Sequence, residues 1–459
     1  ALLWAALASG DCRKALVFVP SRNQCDRLGL HLRRYLRKHR DIWIETHHGS
    51  LSREHRQRAE DGFRDQRDAV LVATNTLEVG VDIGDVDVVA LVGAPPDTSS
   101  LLQRIGRGGR RSGLTRLLPI TRNTVDAAAL ASQLVDAVAG TLETRHRFRR
   151  WDVFPQQVIS YIRQNRGQGR SIESLKKLAA SAWPAADTAG IAASLLGSWC
   201  NSGLLLEQRG KLHLAGAWED FSTQAGGDYV IHSNISSLPA GRQVRNELTG
   251  EVVGHVGGTD PHSDTLTIAG RQHRILRQDE CIVVTPVPDT EAEEREDTPQ
   301  YSGRRRGVSE SFAAHVRRGC GLGEREAPLV RIGGQLLWFH FGGEIFETLM
   351  RELFPQLLAT PMITGVVLRA LQPLEAPTHW TLDQARLRRF VEQQGLRLLA
   401  DEGLSRFAKH LPAEGIDALL SELTFEVRFT EWLTTRAIGP ARQVTDFPAL
   451  AKLLNLDAT

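Results

Sequence analysis

The stretch Leu101–Gly113 reads LLQRIGRGGRRSG, and the rest of the chain is best read outward from it. It sets Gln103, Arg104, Arg107 and Arg110 at fixed spacings, with Gly106, Gly108 and Gly109 between them. Arginines this close repel one another unless an anion meets them. Glycines let the backbone approach that anion, and planar guanidinium groups bind phosphate oxygens in pairs. Such groups can stabilise the charge that develops on a transferring γ-phosphoryl group. An arbitrary run of Arg and Gly is more often a solvated basic loop, so the surrounding sequence has to decide.

Upstream, ALVFV (Ala15–Val19), AVLVA (Ala69–Ala73) and VDVVALV (Val86–Val92) are apolar and rich in Val, the pattern of buried central strands. Between them, residues of about 22–38 and 52–64 are charged with apolar residues at helical spacing, as crossover helices require. The spacing predicts a parallel α/β sheet domain over residues 1–145. ALVFVPSR ends its strand with Ser21 and Arg22. VATNTLEVGVDIGDVD (Val72–Asp87) follows another strand and is expected to present Thr74, Gly80 and Asp82 at its exit, where ligands gather in open α/β sheets.

Taken in order, these strings resemble motifs IV, V and VI of the superfamily 2 helicases, and HHGSLSREHR (His47–Arg56) matches the segment usual between IV and V. The resemblance implies a RecA-like second motor domain. It implies Arg107 and Arg110 as arginine fingers, with Gln103 and Arg104 at the cleft between two motor domains. It also implies Gly80 and Asp82 near the nucleotide, Asp82 at the ribose, and Ser21, Arg22 and Thr74 facing nucleic-acid phosphates. The implied nucleotide is ATP with Mg2+, held by a first RecA-like domain of the same parent chain, because no stretch here fits the GxxxxGK[ST] phosphate loop. Asp279-Glu280 has the letters of the acidic magnesium motif but no phosphate loop upstream, and reads as coincidence.

Downstream, WDVFPQQVISYI, IESLKKLAASA and IAASLLGSWCNSGLLLEQRGKLHLA predict three helices and a short hairpin, a winged helix over residues 146–226. Residues 227–332 are β-rich and punctuated by Gly, Asp and Pro, as in a small barrel-like domain, with an acidic linker near 290–300. Residues 333–459 hold the strand-like QLLWFHF and end in amphipathic helices, a region with no legible chemistry. This order, with WDVFPQQ and TLTIAGRQHRIL, is similar to the Lhr-type (large helicase-related) DNA helicases. It implies ATP-driven translocation and unwinding, with a link to repair. Arg145, Arg147, Arg149 and Arg150 at the junction could line a backbone groove, with Trp151 as a stacking face or, more simply, a core residue.

Composition sets the outer limits. The 459 residues carry 56 Lys and Arg against 54 Asp and Glu, so a net charge of +2 does not itself announce a nucleic-acid partner. Five scattered cysteines suggest a reduced, cytoplasmic setting, and no run of about twenty apolar residues suggests a membrane span. His47, His48 and His55 lack a Cys or carboxylate at zinc spacing, so no metal is expected there; Ser50 and Ser52 offer helix caps instead. The start ALLWAALASG reads as the end of a helix in a piece of a longer polypeptide, inactive alone. Two other readings stay open: a non-catalytic nucleic-acid-binding module, and an RNA-unwinding DExH-type helicase. DNA is the favoured strand, with RNA or a hybrid possible.

Overall fold

The computed structural model describes residues 2–8, 12–36, 41–78, 82–109, 113, 115–142, 149–165, 167–216, 218, 241–259, 263–288, 291, 297–301, 307–360, 363–374, 383, 385–387, 389–390, 393–394, 411–423, 432–433 and 438–455. Gly80, Arg110, Arg145 and Arg147, most of the acidic stretch near 290–300, and much of the tail after residue 374 lie outside the described residues.

The Val-rich strings form the strands expected of them. Strands β1 (Lys14–Phe18), β2 (Trp43–His47), β3 (Ala69–Ala73), β4 (Val88–Val92) and β5 (Arg116–Ile120) make one sheet in the order β2-β3-β1-β4-β5. Every pairing in it is parallel. Alternate residues of β1 serve opposite faces: Ala15, Val17 and Val19 pack with Cys25 and Leu36, whereas Leu16 and Phe18 pack with Ala59, Phe63 and Leu101. Both faces are therefore covered, which is why these strands lack polar alternation. The covering helices are α1 (Leu2–Ala8), α2 (Arg22–Leu36), α3 (Arg53–Asp65), α4 (Thr98–Ile105) and α5 (Thr124–Ala139). Ser52, Asp97 and Asn123 cap α3, α4 and α5 with their side chains, accepting from the amides of His55, Ser100 and Asp126.

Helices α6 (Phe154–Arg163), α7 (Ile172–Ala182) and α8 (Thr188–Asn201) precede a hairpin of β6 (Leu205–Gln208) and β7 (Lys211–Leu214). Arg209 and Gly210 turn that hairpin at φ of 51° and 72°, the left-handed pair that a two-residue turn favours. Trp151 is fully buried among Phe154, Trp183 and Trp199, so it is core.

A second five-stranded sheet holds β8 (Arg242–Asn246), β9 (Val252–Val256), β10 (Thr265–Ile268), β11 (Arg271–Gln278) and β12 (Ile282–Pro286) in the order β10-β11-β12-β8-β9. Its core of Val244, Val256, Leu266, Ile268 and Val284 also takes in Leu51 from the first domain.

Helix α9 (Glu310–Gly319) lies against α5, where a Cβ on Gly319 would collide with the Ala128 carbonyl. A third sheet follows, of β13 (Leu329–Ile332), β14 (Gln335–Phe339), β15 (Leu357–Ala359), β16 (Val367–Ala370) and β17 (Arg442–Gln443), ordered β15-β16-β14-β13-β17. Only β14 was legible beforehand. Strands β13 and β14 form a hairpin across residues 332 and 333, so a division placed there cuts through paired backbone. Helices α10 (Gly343–Leu353), α11 (Ala413–Leu423) and α12 (Pro448–Leu453) complete the described elements used below. Among the described residues no helix is long and apolar enough to cross a membrane.

Candidate ATP cleft and nucleic-acid edge

The parallel sheet has two edges, and the described candidate residues divide between them. At the carboxyl-terminal edge, β1 runs out into Ser21 and Arg22, β2 into His48–Ser50, and β3 into Thr74. The Thr74 amide donates to the carbonyl of His47 (3.2 Å), tying two of these exits together. Arg22 Nη1 donates to Ser50 Oγ (2.9 Å), and Ser21 Oγ accepts from the Gln24 amide at the start of α2 (3.3 Å). Ser50 therefore receives an arginine rather than capping a helix, whereas Ser52 is the cap.

Residues 82–87 lie at the other edge of the sheet. The Asp87 amide donates to the carbonyl of Lys14, the first residue of β1, and the Gly109 amide donates to the carbonyl of Val86 (3.1 Å). Asp82 belongs here too. Its carbonyl accepts from Arg64 Nη2 (2.8 Å), and the Arg64 carbonyl accepts from Lys14 Nζ (2.7 Å). Thr74 and Asp82 thus do not share the strand exit, as the sequence suggested; the extended 82–87 segment carries Asp82 to the amino-terminal edge, where the glycine-arginine turn also lies.

Between the two edges stands Glu78, at the end of a short 3-10 turn over Asn75–Leu77. Its Oε1 accepts from Arg104 Nε (2.8 Å) and lies 2.8 Å from Arg104 Nη2, while its backbone carbonyl accepts from Arg107 Nη2 (2.7 Å). Arg104 is buried, with its guanidinium 5.2 Å from the centre of the Phe18 ring. Of the four motif side chains, Arg104 is thus a buried positioning group, Arg107 is partly exposed and held at its tip, and Gln103 is exposed on α4. Glu78 was not singled out from sequence. It is the single carboxylate between Asp68 and Asp82, and that isolation upstream of an arginine-rich motif is the signal that could have found it.

Among the described residues no group of three His, Cys, Asp or Glu is placed to hold a metal ion. His47 Nε2 lies 2.8 Å from Glu60 Oε1 and Nδ1 lies 2.8 Å from Thr76 Oγ1. Burial lowers the His47 pKa, against the opposing pull of Glu60. His48 Nε2 faces Asp26 Oδ1 (3.3 Å), and its Nδ1 accepts from the Ser50 amide (3.3 Å).

Of the junction arginines, Arg149 and Arg150 are held by carboxylates. Arg149 reaches both oxygens of Asp187 (2.6 and 3.0 Å), and Arg150 both oxygens of Asp152 (2.8 and 2.6 Å). The Arg149–Asp187 pair joins the chain after α5 to the start of α8, whereas Arg150–Asp152 is local to the segment ahead of α6.

The arrangement of a doubly covered parallel sheet with a glycine-arginine turn opposite its strand exits now meets its relatives. Residues 1–112 match the family described as Helicase conserved C-terminal domain. This part of the chain is a helicase C-terminal domain. Over 99 residues (22% of this chain) it is 38% identical to the ATP-dependent helicase Lhr-Core protein 2 of Thermococcus barophilus, covering 11% of that protein. Over 104 residues (22% of this chain) it is 36% identical to the Lhr helicase/probable uracil glycosylase of Mycolicibacterium smegmatis, covering 7%. The similarity to Lhr-type helicases read from the motifs is therefore shared by curated relatives, of whose length the chain matches a small part.

Beyond the helicase C-terminal domain, the fold is similar to the structure of Mycobacterium smegmatis helicase Lhr bound to ssDNA and AMP-PNP. The TM-score is 0.52 at 16% identity, over 99% of this chain and 62% of that one. That likeness concerns the fold.

Proposed function

We propose that this chain is the second motor half and accessory portion of an Lhr-type, ATP-dependent helicase or translocase acting on nucleic acid, DNA in preference to RNA. The observation that carries this reading is the division of the helicase C-terminal domain into two edges, with Arg107 held beside Glu78 on one side and Ser21, Arg22 and Thr74 on the other.

The chain's own residues fit a shared ATP site. Arg107 is partly exposed, and its Nη2 donates to the Glu78 backbone carbonyl, a bond that rotation can exchange for a phosphate oxygen. Asp82 is exposed at the same edge, suited to a ribose hydroxyl. ATP with Mg2+ supplies the phosphoryl group and the metal charge, held by a first RecA-like domain of the parent chain. Arg107, with Arg110, stabilises the charge that develops on the transferring group, and Arg104 with Glu78 keeps the turn in register. Fingers accelerate a reaction only when another surface has positioned the substrate, so the two halves work as one enzyme.

At the other edge, Ser21, Arg22 and Thr74 hold strand phosphates. The α6–α8 bundle with its hairpin is a winged helix, and the second sheet a barrel-like module beside the strand path. Division near residues 145 and 226 describes the first of these units, and the setting is cytoplasmic. Support for DNA comes from the ssDNA in the similar Mycobacterium smegmatis structure.

The test is to join this chain to the preceding motor half from its own gene. ATP turnover and strand separation are then measured on DNA, RNA and hybrid duplexes. DNA-stimulated turnover with unwinding is the expected result. Strand binding without turnover would leave a non-catalytic binding module, and turnover only on RNA would move the chain to the DExH-type RNA helicases.

A further inference from the structure

We infer that Tyr301, on the strap leaving the second sheet, is a positioning residue for the strand-contacting Arg22 and for the buried Ser50 that Arg22 donates to, so that the nucleic-acid edge of the motor domain is completed by the β-rich module. The inference rests on the reading of that edge given above, and it begins from a buried carboxylate. Asp26, on α2, is fully buried. A buried charge persists only when its oxygens are satisfied, and three donors from separate parts of the chain do so. The Tyr301 hydroxyl donates to Oδ2, the Gly270 amide donates to Oδ1 (2.9 Å), and His48 Nε2 faces Oδ1 (3.3 Å). The His48 ring accepts the Ser50 amide at Nδ1, so its remaining proton is directed at Asp26.

The same tyrosine reaches the strand-contacting side chains. Its ring packs edge-on against His48, with centroids 5.1 Å apart, and lies 6.0 Å beneath the Arg22 guanidinium, whose Nη1 donates to Ser50 Oγ (2.9 Å). Backbone contacts fix the frame: the His255 amide donates to the Ser50 carbonyl (2.8 Å), and the Ser52 amide to the Val253 carbonyl (3.0 Å). The strap is held from both sides. Asn23 Nδ2 donates to the Pro299 carbonyl (3.2 Å), and Gln300 exchanges backbone bonds with Gly257 and Gly258. Arg22 and Ser50 therefore sit on a surface to which α2, the loop after β2, β9 and the strap all contribute. Loosening Tyr301 frees Arg22 to adopt rotamers that no longer face a phosphate.

The experiment uses the 459-residue chain and a fluorescein-labelled oligothymidylate of about twenty nucleotides, with affinity read against salt concentration. Arg22→Ala is expected to weaken binding about tenfold, the loss of one charge-assisted contact. It should also flatten the salt slope by about 0.7, the value of one single-strand phosphate. Tyr301→Leu is expected to reproduce both changes, and the double variant to lose no more than either alone, because two changes acting through one contact do not add. Tyr301→Phe, which keeps the ring over Arg22, is expected to retain the wild-type slope. If Tyr301→Leu fails to fold, Asn23→Ala, which releases the strap at its exposed side, is read in its place with the same expectation. Tyr301→Leu, or in that case Asn23→Ala, with unchanged affinity and slope beside a weakened Arg22→Ala, or losses that add in the double variant, overturns the inference. An Arg22→Ala variant that binds as wild type overturns instead the reading of the edge itself.

Discussion

Glu78 holds two arginines with different parts of itself: its carboxylate takes the Nε and Nη2 of Arg104, and its backbone carbonyl takes Nη2 of Arg107. The first contact is buried, with both side chains nearly out of solvent, and the second is at the surface. One residue thus fixes the base of the glycine-arginine turn and parks its projecting guanidinium.

Removing that carboxylate leaves Arg104 buried without its partner. Glu78→Ala is expected to lower unfolding free energy by about 3 to 5 kcal/mol, the cost of an orphaned buried charge. Glu78→Gln, which keeps an acceptor of the same shape, is expected to cost clearly less. Urea denaturation of the two variants checks this, and equal small losses would show that the pair contributes little.

Acidification should loosen the second sheet. His273 is buried on β11, and burial pushes its pKa down to about 4 from 6.5, with the Arg271 carbonyl pulling the other way. A depressed histidine favours the folded state above the unfolded pKa, and that contribution is lost as pH falls from 6.5 toward 4. Burial lowers His47 in the same direction. A histidine whose pKa falls from 6.5 to about 4 on folding makes acidification to below pH 4 cost roughly 3 kcal/mol of stability relative to neutral pH. Denaturation at pH 7, 5.5 and 4.5 should show falling stability, and His273→Gln should flatten that decline. An undiminished pH slope in the variant would assign it elsewhere.

Much of the motor domain was legible because its signals are local. Val-rich strands covered on both faces show no alternation, and Ser52 sits where a helix cap must be. Contacts between distant segments were not legible. Nothing in the sequence brings Tyr301 to Asp26 or Arg271 to Glu45, or places Asp82 at the opposite edge from Thr74. The third sheet was missed because β13 and β15–β17 are two to four residues long, too short for a period to show.

The contact between α2 and the β10–β11 turn depends on a missing side chain. A Cβ on Gly29 would run into Thr46 Cγ2 and stand 3.1 Å from the Gly270 Cα, leaving backbone nowhere to move. Gly29→Ala is expected to cost about 1 to 3 kcal/mol through overpacking, despite its better helix propensity. A thermal melt that rises in the variant would contradict the tight approach.

Trp151 separates packing from strand stacking. Buried among Phe154, Trp183 and Trp199, it should cost about 3 to 5 kcal/mol when cut to Ala. Trp151→Phe, which stays folded, should leave oligothymidylate affinity unchanged. A loss of affinity in a stable Trp151→Phe chain would return it to the strand path.

The central claim is that Arg107 meets a phosphoryl group supplied across a cleft. Its most direct test is single-turnover ATP hydrolysis by the chain joined to its first motor half, comparing wild type with Arg107→Ala at saturating ATP and nucleic acid. The account predicts a loss of about a thousandfold or more in the rate, with strand affinity intact, by analogy with other arginine fingers. An unchanged hydrolysis rate in a folded, strand-binding variant would contradict it.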